Sequence, residues 1–481
     1  MRGGLRIALT CITSFSVSGC MVGPDFKPPA RPSDTHYIPQ SAPGTAETDG
    51  QRPELLEGRA LSVDWWRLLG SPEINDVVER ALANNYVLSI ARAQLASAGE
   101  QVKIARSGLF PQLDASSNVA RRKYGQSFLG PIATTFPAFS AYSGGGVFNY
   151  DVDLFGRTRR NIAMAKAAHD VQREGLEAAR LNVAAETVME CLHIAATNAQ
   201  IDILHSVILS DEKNLKLVTQ AHDAGVATLT DVTTAQSQLD HDRTLLPDLQ
   251  QARDVAYDAL AFLTGTTTAR SSLPEFTLAK LTLPRNLPLV WPSEIVRARP
   301  DIRAAEAELH AANEAIGVAT ADMLPRLNLS ATVGQQGLVG GPAGMAWSLV
   351  GGLSAPLFHG GALKAQKKAA QDYYTASFAQ YQEVVITAFR EMADSLHGLE
   401  HAYASVETNE QALGSAGQAL KLSRAGYAVG NTGVIQVIDA HRLEELAEMN
   451  LVKARTDCLR QTVSLFVASG GGVHQTVAAQ H

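Results

Sequence analysis

Alternating apolar and polar residues predict short β-strands at four places along this chain. In 147–154 the apolar positions Phe148, Tyr150, Val152 and Leu154 alternate with Asn149, Asp151 and Asp153, and 327–333 alternates in the same way. A period of two with one apolar and one polar face is typical of a half-buried strand. Weaker versions occupy 113–119 and 347–357. In a membrane barrel, the apolar side of such strands would face lipid and the polar side water.

Each strand pair is followed by a long helical pattern. Residues 157–222 and 363–427 lack proline and are rich in Ala, Gln, Glu, Leu and Arg, which predicts long, closely packed helices. After a glycine-containing break, a second helix returns to about 263 and 466. Pro247 is predicted to kink or interrupt the first returning helix. Another helix is predicted over about 71–107, with Ser71 as N-cap and Pro72 in its first turn.

The order of elements repeats because the chain contains one unit twice. Residues 91–116 match 305–330 at a constant shift of 214, with identities that include Glu100/Glu314 and Pro111/Pro325. Gly225 and Ala235 match Gly430 and Ala440 at a shift of 205. A duplicated unit requires that both copies enter any account of function. The predicted divisions are a signal peptide over 1–19, a linker over 20–70, a first repeat over 71–264, an inter-repeat connection over 265–293, a second repeat over 294–470 and a tail over 471–481.

The composition and the N-terminal segment indicate what kind of core, partners and cellular location to expect. The chain has 481 residues, of which 46% are hydrophobic, and a formal net charge of −7. A large core is therefore expected and nucleic acid is not an expected partner. The basic, apolar N-terminus ends in Val17-Ser18-Gly19-Cys20, which resembles a bacterial lipobox with Cys20 as the lipidated residue. Cys191 and Cys458 are expected to be buried small hydrophobic residues rather than a disulfide.

Four strands are too few to close a membrane barrel. An open sheet in lipid would leave backbone groups without hydrogen-bond partners, and the smallest closed membrane barrels have eight strands. The barrel is therefore expected to be shared between chains. The residues alone allow a dimer with eight strands or a trimer with twelve.

Several motifs, taken in order together with the duplication, resemble the TolC-like outer-membrane efflux proteins. The resemblance is to the OprM-type lipoprotein branch, often called the NodT family, and it covers nearly all of the mature chain. The motifs are Cys20-Met21-Val22-Gly23-Pro24-Asp25-Phe26, Trp65-Trp66, Arg299-Pro300-Asp301-Ile302-Arg303, Ile316-Gly317-Val318-Ala319, Leu357-Phe358-His359-Gly360-Gly361 and Val437-Ile438-Asp439-Ala440.

The resemblance implies a fold and a function. The fold is mainly α with a membrane β-barrel: a duplicated helix-strand-strand-long helix-helix unit, four strands per chain, and a homotrimer that forms a 12-stranded barrel on an α-helical tunnel. The function is that of a passive outer-membrane duct, lipid-anchored and extending into the periplasm, which works with a periplasmic adaptor protein and an inner-membrane efflux pump. No cofactor and no enzymatic activity are expected, and the resemblance does not identify the exported molecules.

The resemblance also implies a periplasmic gate near residues 430–442. Asp439 matches an Asp that projects into the constriction, and Arg442 matches a nearby Arg. Gln436 matches a second Asp of TolC but is neutral here. Tyr427 and Asp231 match a Tyr–Asp pair that links neighbouring helices in the closed state. Three symmetry-related carboxylates around a narrow axis would repel one another and attract cations.

Two other functions compete with this interpretation. His397-Gly398-Leu399-Glu400-His401 fits the H-x-x-E-H pattern of inverted zinc peptidases, with both His residues on one helical face. A periplasmic adaptor with a coiled-coil hairpin would also carry a lipid anchor and long helices. The glycine runs at 144–146, 351–352 and 470–472 lack the pattern of phosphate loops and are interpreted as strand ends, flexible loops and tail.

Overall fold

The fold was analysed in a computed structural model of the chain. The structure describes residues 21–30, 32–34, 36–38, 54–59, 61–123, 137–270, 272–284 and 286–472. Cys20, the expected lipidation position, lies outside the described residues.

The described residues form the duplicated series of helices and strands. The first part contains β1 (Glu54–Glu57), α1 (Pro72–Asn84), α2 (Tyr86–Ser107), β2 (Gln112–Arg122), β3 (Phe139–Val152), α3 (Arg157–Asp223) and α4 (Leu229–Leu263). The second contains β4 (Asn286–Leu289), α5 (Ile295–Ala298), α6 (Pro300–Ala321), β5 (Arg326–Leu338), β6 (Ala343–Ser354), α7 (Ala362–Ala428) and α8 (Val434–Ala468). The two long helices α3 and α7 have 67 residues each, and the returning helices α4 and α8 have 35 each. The predicted order of elements is confirmed.

One four-stranded antiparallel sheet joins the two repeats. Its order is β2-β3-β5-β6, so the central pairing links a strand of the first repeat to a strand of the second. Gly144, Gly145 and Gly146 lie inside β3 and not at a strand end, which corrects that expectation. Gly145 is the register partner of Gly334, and a Cβ atom on either residue would collide with the backbone of the other strand. The glycines therefore permit a close approach that no other residue allows.

The helix predicted over 71–107 is not continuous, and the proline in the first returning helix does not interrupt it. The helix expected over 71–107 is broken at Asn85, whose backbone is extended (φ −61°, ψ 131°). The side chain of Asn85 accepts a hydrogen bond from the backbone N–H of Val87 and donates one to the carbonyl of Leu263, so it begins α2 and ties it to the end of α4. Pro247 does not interrupt α4, because an exposed helix position leaves the one carbonyl that loses its partner accessible to water.

The chain divides into two compact units, each with contributions from both repeats. One unit contains the described residues of 21–29, 94–172 and 305–381, and therefore the four-stranded sheet. The other contains the described residues of 30–93, 173–304 and 382–472. Its core includes the buried rings of Trp65 and Phe466, whose centroids are 5.7 Å apart. The parallel pair β1–β4 belongs to this second unit.

Within the described ranges, no helix is both long enough and apolar enough to cross a membrane.

Candidate functional site: an apolar sheet face and two helical tips

The four-stranded sheet exposes one continuous apolar face. Leu113, Phe148, Ala331 and Leu349 are register neighbours in a row across all four strands, and Val333 pairs with Trp347 in a parallel row. The exposed fractions are 77% for Leu113, 75% for Leu349 and 79% for Trp347. An exposed apolar surface that runs across a whole sheet marks a contact with lipid or protein.

The opposite face of the same sheet is polar. Asp114, Thr332 and Ser348 lie in one row, in which Val147 is the apolar member, and the hydroxyls of Thr332 and Ser348 are 2.8 Å apart. In the next rows, Asn328 donates a hydrogen bond of 2.7 Å to the carboxylate of Asp151. One apolar and one polar face on a continuous antiparallel sheet is the arrangement of a wall between lipid and water.

The segment that follows Cys20 is docked beside the sheet, in the same unit. Arg160, which is 1% exposed, donates hydrogen bonds to the carbonyls of Val22 and Gly23 and to the carboxylate of Asp25. The same guanidinium donates to both oxygens of the buried Glu314, at 3.0 and 3.1 Å. Residue types alone did not indicate this contact, although Glu314 was one of the identical repeat positions.

Further contacts fix the docked segment in one register. Asn313 donates a hydrogen bond of 2.9 Å to the carbonyl of Pro24, and the ring of Phe26 stacks on His310 with centroids 4.4 Å apart. Gly23 has a positive φ of 96°, and a Cβ there would lie 2.6 Å from the Cα of Gly317. The sequence pattern predicted a linker without its own core, and residues 22–26 of it are held by α3 and α6.

The second helical tip lies between α7 and α8. Gly430 adopts φ 76° and donates to the carbonyl of Tyr427, while Asn431 donates to the carbonyl of Gly426, so the turn satisfies the last carbonyls of α7. Leu420, Val437 and Ala440 form a small apolar cluster that packs α8 against α7. Val437 and Ala440 therefore lie on the face of α8 that is buried against α7.

The expected gate residues of α8 lie on an exposed stripe. Gln436, Asp439 and Arg442 are spaced three residues apart, and all three are exposed. Within the described residues, Asp439 and Arg442 form no ion pair with each other. The amide oxygen of Gln436 lies over Gly433, the N-cap of α8.

The first helical tip, between α3 and α4, has a different cap. Thr228 and Asp231 form a capping box: the backbone N–H of Thr228 donates to Asp231 at 2.8 Å, and that of Asp231 donates to the Thr228 hydroxyl at 3.2 Å. The hydrogen bonds from the backbone and hydroxyl of Thr228 lower the pKa of Asp231. At the repeat shift of 205, Thr228 corresponds to Gly433 and Asp231 to Gln436.

The structure does not bring Tyr427 and Asp231 together. In the part of the chain that the structure describes, the Asp231 carboxylate bonds only to Thr228, and the half-exposed Tyr427 hydroxyl has no hydrogen-bond partner. The expected Tyr–Asp link is therefore absent from this conformation, because Asp231 already serves as the third residue of a helix cap.

A buried group of titratable residues lies along the same helices, and the sequence motifs did not reveal it. It comprises Asp211 of α3, Asp242 of α4, and His441 and Glu445 of α8. Asp211 and Asp242 are each 6% exposed. Burial, together with the neighbouring Asp242 carboxyl, raises the pKa of Asp211 to about 7. Burial, followed by repulsion from Asp242 and Asp211, raises the pKa of Glu445 to about 8.

The residues of the peptidase-like motif are placed on α7. His397, Glu400 and His401 are all exposed. Among the described residues, no three His, Cys, Asp or Glu side chains are arranged so that they would hold a metal ion. Cys191 and Cys458 are buried free thiols, as expected.

A duplicated helical chain with a two-faced four-stranded sheet defines the class of outer-membrane channels. The family described as outer membrane efflux protein matches residues 77–266 and 291–471. The chain belongs to this family. That family is one of channels and not of enzymes, and its members are located in the outer membrane.

Individual relatives support the same assignment. The chain is 28% identical over 474 residues to outer membrane protein OprJ of Pseudomonas aeruginosa, covering 97% of this chain and 95% of OprJ. It is 26% identical over 478 residues to the toluene efflux pump outer membrane protein TtgC of Pseudomonas putida, covering 96% and 95%. The solved outer-membrane channel OprN superposes with a TM-score of 0.84 at 26% identity, covering 94% of this chain and 99% of OprN.

Proposed function

We propose that three copies of this chain form a passive exit channel across the outer membrane. The observation that supports this proposal is the sheet with one apolar and one polar face, because its edge strands β2 and β6 have no further strand paired with them among the described residues. Such edges are costly in lipid, and pairing with further copies removes them. Three copies of four strands give a 12-stranded barrel, the number that the family resemblance favours over eight.

The channel receives its cargo from other proteins. A periplasmic adaptor protein and an inner-membrane pump dock on the periplasmic side and supply the driving force, so the chain itself needs no cofactor and catalyses no reaction. Relatives of similar identity have names as different as pyoverdine export and toluene efflux proteins. The cargo of this chain is therefore set by the pump with which it works.

The gate of this channel is formed at the helical tips. In the trimer, the exposed stripe of Gln436, Asp439 and Arg442 faces the axis, where three Asp439 carboxylates create a negative potential focused by the narrow opening. Tyr427 and Asp231 lie at the neighbouring helix ends. Gln436 is neutral, so Asp439 provides a single acidic ring.

Purified, detergent-solubilised protein tests both the assembly and the gate. Its protein mass by light scattering should be that of a trimer, and in planar bilayers it should prefer cations and be blocked by divalent or trivalent cations added from the periplasmic side. Asp439→Ala should weaken that block, whereas Glu400→Ala, which removes an exposed carboxylate from α7, should change it less. A monomer or dimer that conducts would contradict the architecture. Equal block of the wild type and Asp439→Ala would place the constriction elsewhere.

The lipid anchor of this proposal is at Cys20. Acylated Cys20 would immediately precede the segment that Arg160 holds, so the acyl chains would enter the membrane close to the sheet. Metabolic labelling with a fatty acid should label the wild type and not Cys20→Ser, while Cys191→Ser serves as a control that keeps its label. An unlabelled wild type would rule out this anchor.

A further inference from the structure

A second site lies close to the proposed gate but not in it. Asp242 follows Asp231 on α4 by eleven residues, and Glu445 follows Asp439 on α8 by six. At about 1.5 Å per residue, the buried carboxyl groups are about 9–16 Å along the helices from the tip residues. Asp211 of α3 reaches the same level.

The contact between the buried carboxyl groups of Asp211 and Asp242 requires at least one bound proton. The carboxyl groups of Asp211 and Asp242 are within hydrogen-bonding reach of each other, and two carboxylates can bond only if one of them carries a proton. Oδ2 of Asp211 is buried with no hydrogen-bond donor among the described residues, and so is Oε1 of Glu445. His441 Nδ1 lies 3.6 Å from that Glu445 oxygen, which is too far for a hydrogen bond.

The chemistry favours a proton over a metal ion as the ligand. No three of the described acidic, His or Cys side chains have the arrangement that a metal ion needs. Gln238 donates a hydrogen bond of 2.8 Å to Oδ2 of Asp242, which favours the ionised form of Asp242 and leaves the proton of the pair to Asp211. A buried carboxyl without a partner is stabilised in its neutral form.

We propose that the buried carboxyl groups of Asp211 and Glu445, which lie around Asp242, hold protons, and that loss of these protons loosens the packing of α3, α4 and α8 next to the periplasmic gate. The packing change concerns this chain alone. Its effect on conduction rests on the proposed channel function.

The charges around the group oppose full ionisation. Glu444 and Glu448 of α8 add negative charge near Glu445, and with burial they raise its pKa. Arg424 of α7 acts on His441, whose pKa is lowered first by burial and then by that guanidinium. His441 is therefore neutral when the carboxyl groups release their protons, and it does not compensate their charge.

The direction of the pH effect follows from the pKa shifts. The packed state holds its carboxyl protons more tightly than the loosened state, so their stabilisation is full below the ordinary carboxyl pKa and is lost as the pH rises through about 7 to 8. His441 acts in the opposite sense, because its protonation below its ordinary pKa favours the loosened state. Packing is therefore expected to be tightest in mildly acidic solution and to loosen above neutrality.

The group breaks the symmetry of the duplicated unit. At the repeat shift of 205, Asp211 corresponds to Ala416 and Asp242 to Ala447. The equivalent level of the α7–α8 hairpin thus lacks the paired carboxyl groups. Proton release is expected to affect the first-repeat hairpin where it meets α8, and not the second-repeat hairpin at the equivalent level.

Amide hydrogen exchange of the detergent-solubilised full chain tests this proposal. Peptides that cover 207–215, 238–246 and 441–449 are followed from pH 6 to pH 9, with correction for the intrinsic pH dependence of exchange. The local opening constant should rise by up to about tenfold per pH unit for each proton released as the pH approaches about 7 to 8, and it should level off above that pH. Asp211→Asn mimics the protonated side chain and should reduce the slope of the logarithm of the opening constant against pH. The double variant Asp211→Asn/Glu445→Gln should remove most of this slope.

Matched control variants come from the same helices. Glu212 and Asp240 are neighbouring carboxylates with 45% and 59% of their side chains exposed, and both approach only Arg243 or another exposed side chain. Glu212→Gln and Asp240→Asn should keep the wild-type slope. A wild-type opening constant that does not change with pH would overturn the proposal, and so would a double variant with an unchanged slope.

The test separates this inference from the channel function. If the exchange slope is present and the protein does not conduct in bilayers, the proton site stands and the channel proposal fails. If the protein conducts as a trimer and the slope is absent, only the proton site fails.

Discussion

Arg160→Met is expected to destabilise the unit that contains the sheet by about 3–5 kcal/mol, because it leaves the buried carboxylate of Glu314 without its partner. Side chains of this pair are 2% and 4% exposed, so water does not replace the lost hydrogen bonds. Residues 22–25 lose three of their contacts in the same substitution. Thermal unfolding of the detergent-solubilised protein and protease cleavage near residue 25 measure the two effects.

The duplicated unit offers a matched control for that substitution. Glu100 is the repeat equivalent of Glu314, but it is 65% exposed and pairs at 2.8 Å with the exposed Lys103. Exposed pairs of this kind contribute about 0–1 kcal/mol. Lys103→Met should therefore change stability little. Replacing both partners of the buried pair, in Arg160→Met/Glu314→Gln, should recover part of the loss, and equal effects of Arg160→Met and Lys103→Met would contradict the role assigned to Arg160.

Gly145→Val is expected to prevent correct formation of the four-stranded sheet. A Cβ atom at Gly145 meets the carbonyl oxygen of Val333 and the Cα of Gly334, which are backbone atoms and cannot move aside without breaking the β3–β5 pairing. That pairing joins the two repeats, so its loss separates the sheet into two hairpins. An assembled barrel keeps a compact form in unheated detergent gels, and Gly145→Val should lose this form.

The same substitution at a spacious position is the control. No atom lies within 4 Å of a Cβ built on Gly344 of β6, whose backbone is paired with Gln336. Gly344→Val should therefore assemble like the wild type. Normal assembly of Gly145→Val would show that the two central strands can separate further than the structure indicates.

The elements were predictable because their patterns are local and repeated. Neighbouring residues alone predict the strands, through the alternation around Phe148 and Leu329. They also predict the long helices, through the proline-free stretches before Gly225 and Gly430. The agreement of two copies then strengthened each interpretation. The break at Asn85 was not predictable in this way, because it depends on a hydrogen bond to Leu263, far away in sequence.

The candidate site was less accessible to sequence reasoning. Asp439 was assigned by resemblance; the structure places it on the exposed stripe of α8, and its gate role stays a prediction. Asp231 was assigned to a pair with Tyr427, although the Thr228-x-x-Asp231 spacing also fits a capping box. The buried carboxyl groups gave no signal, since Asp211, Asp242 and Glu445 lie on three helices and look like ordinary polar helix residues until the helices pack.

The unequal caps of the two hairpins give the duplicated tips different local stiffness. The capping box of Thr228 and Asp231 satisfies two backbone N–H groups, and the negative charge of Asp231 interacts favourably with the positive end of the α4 dipole. In contrast, the N-cap of α8 is Gly433, which provides no side-chain cap. The first turn of α8 will consequently fray more often than that of α4, and Asp439 lies just beyond that turn. Any protein that binds the tips meets one firm and one yielding helix start from each chain, so deformation should concentrate at the helix start that carries Asp439, the carboxylate proposed for the gate.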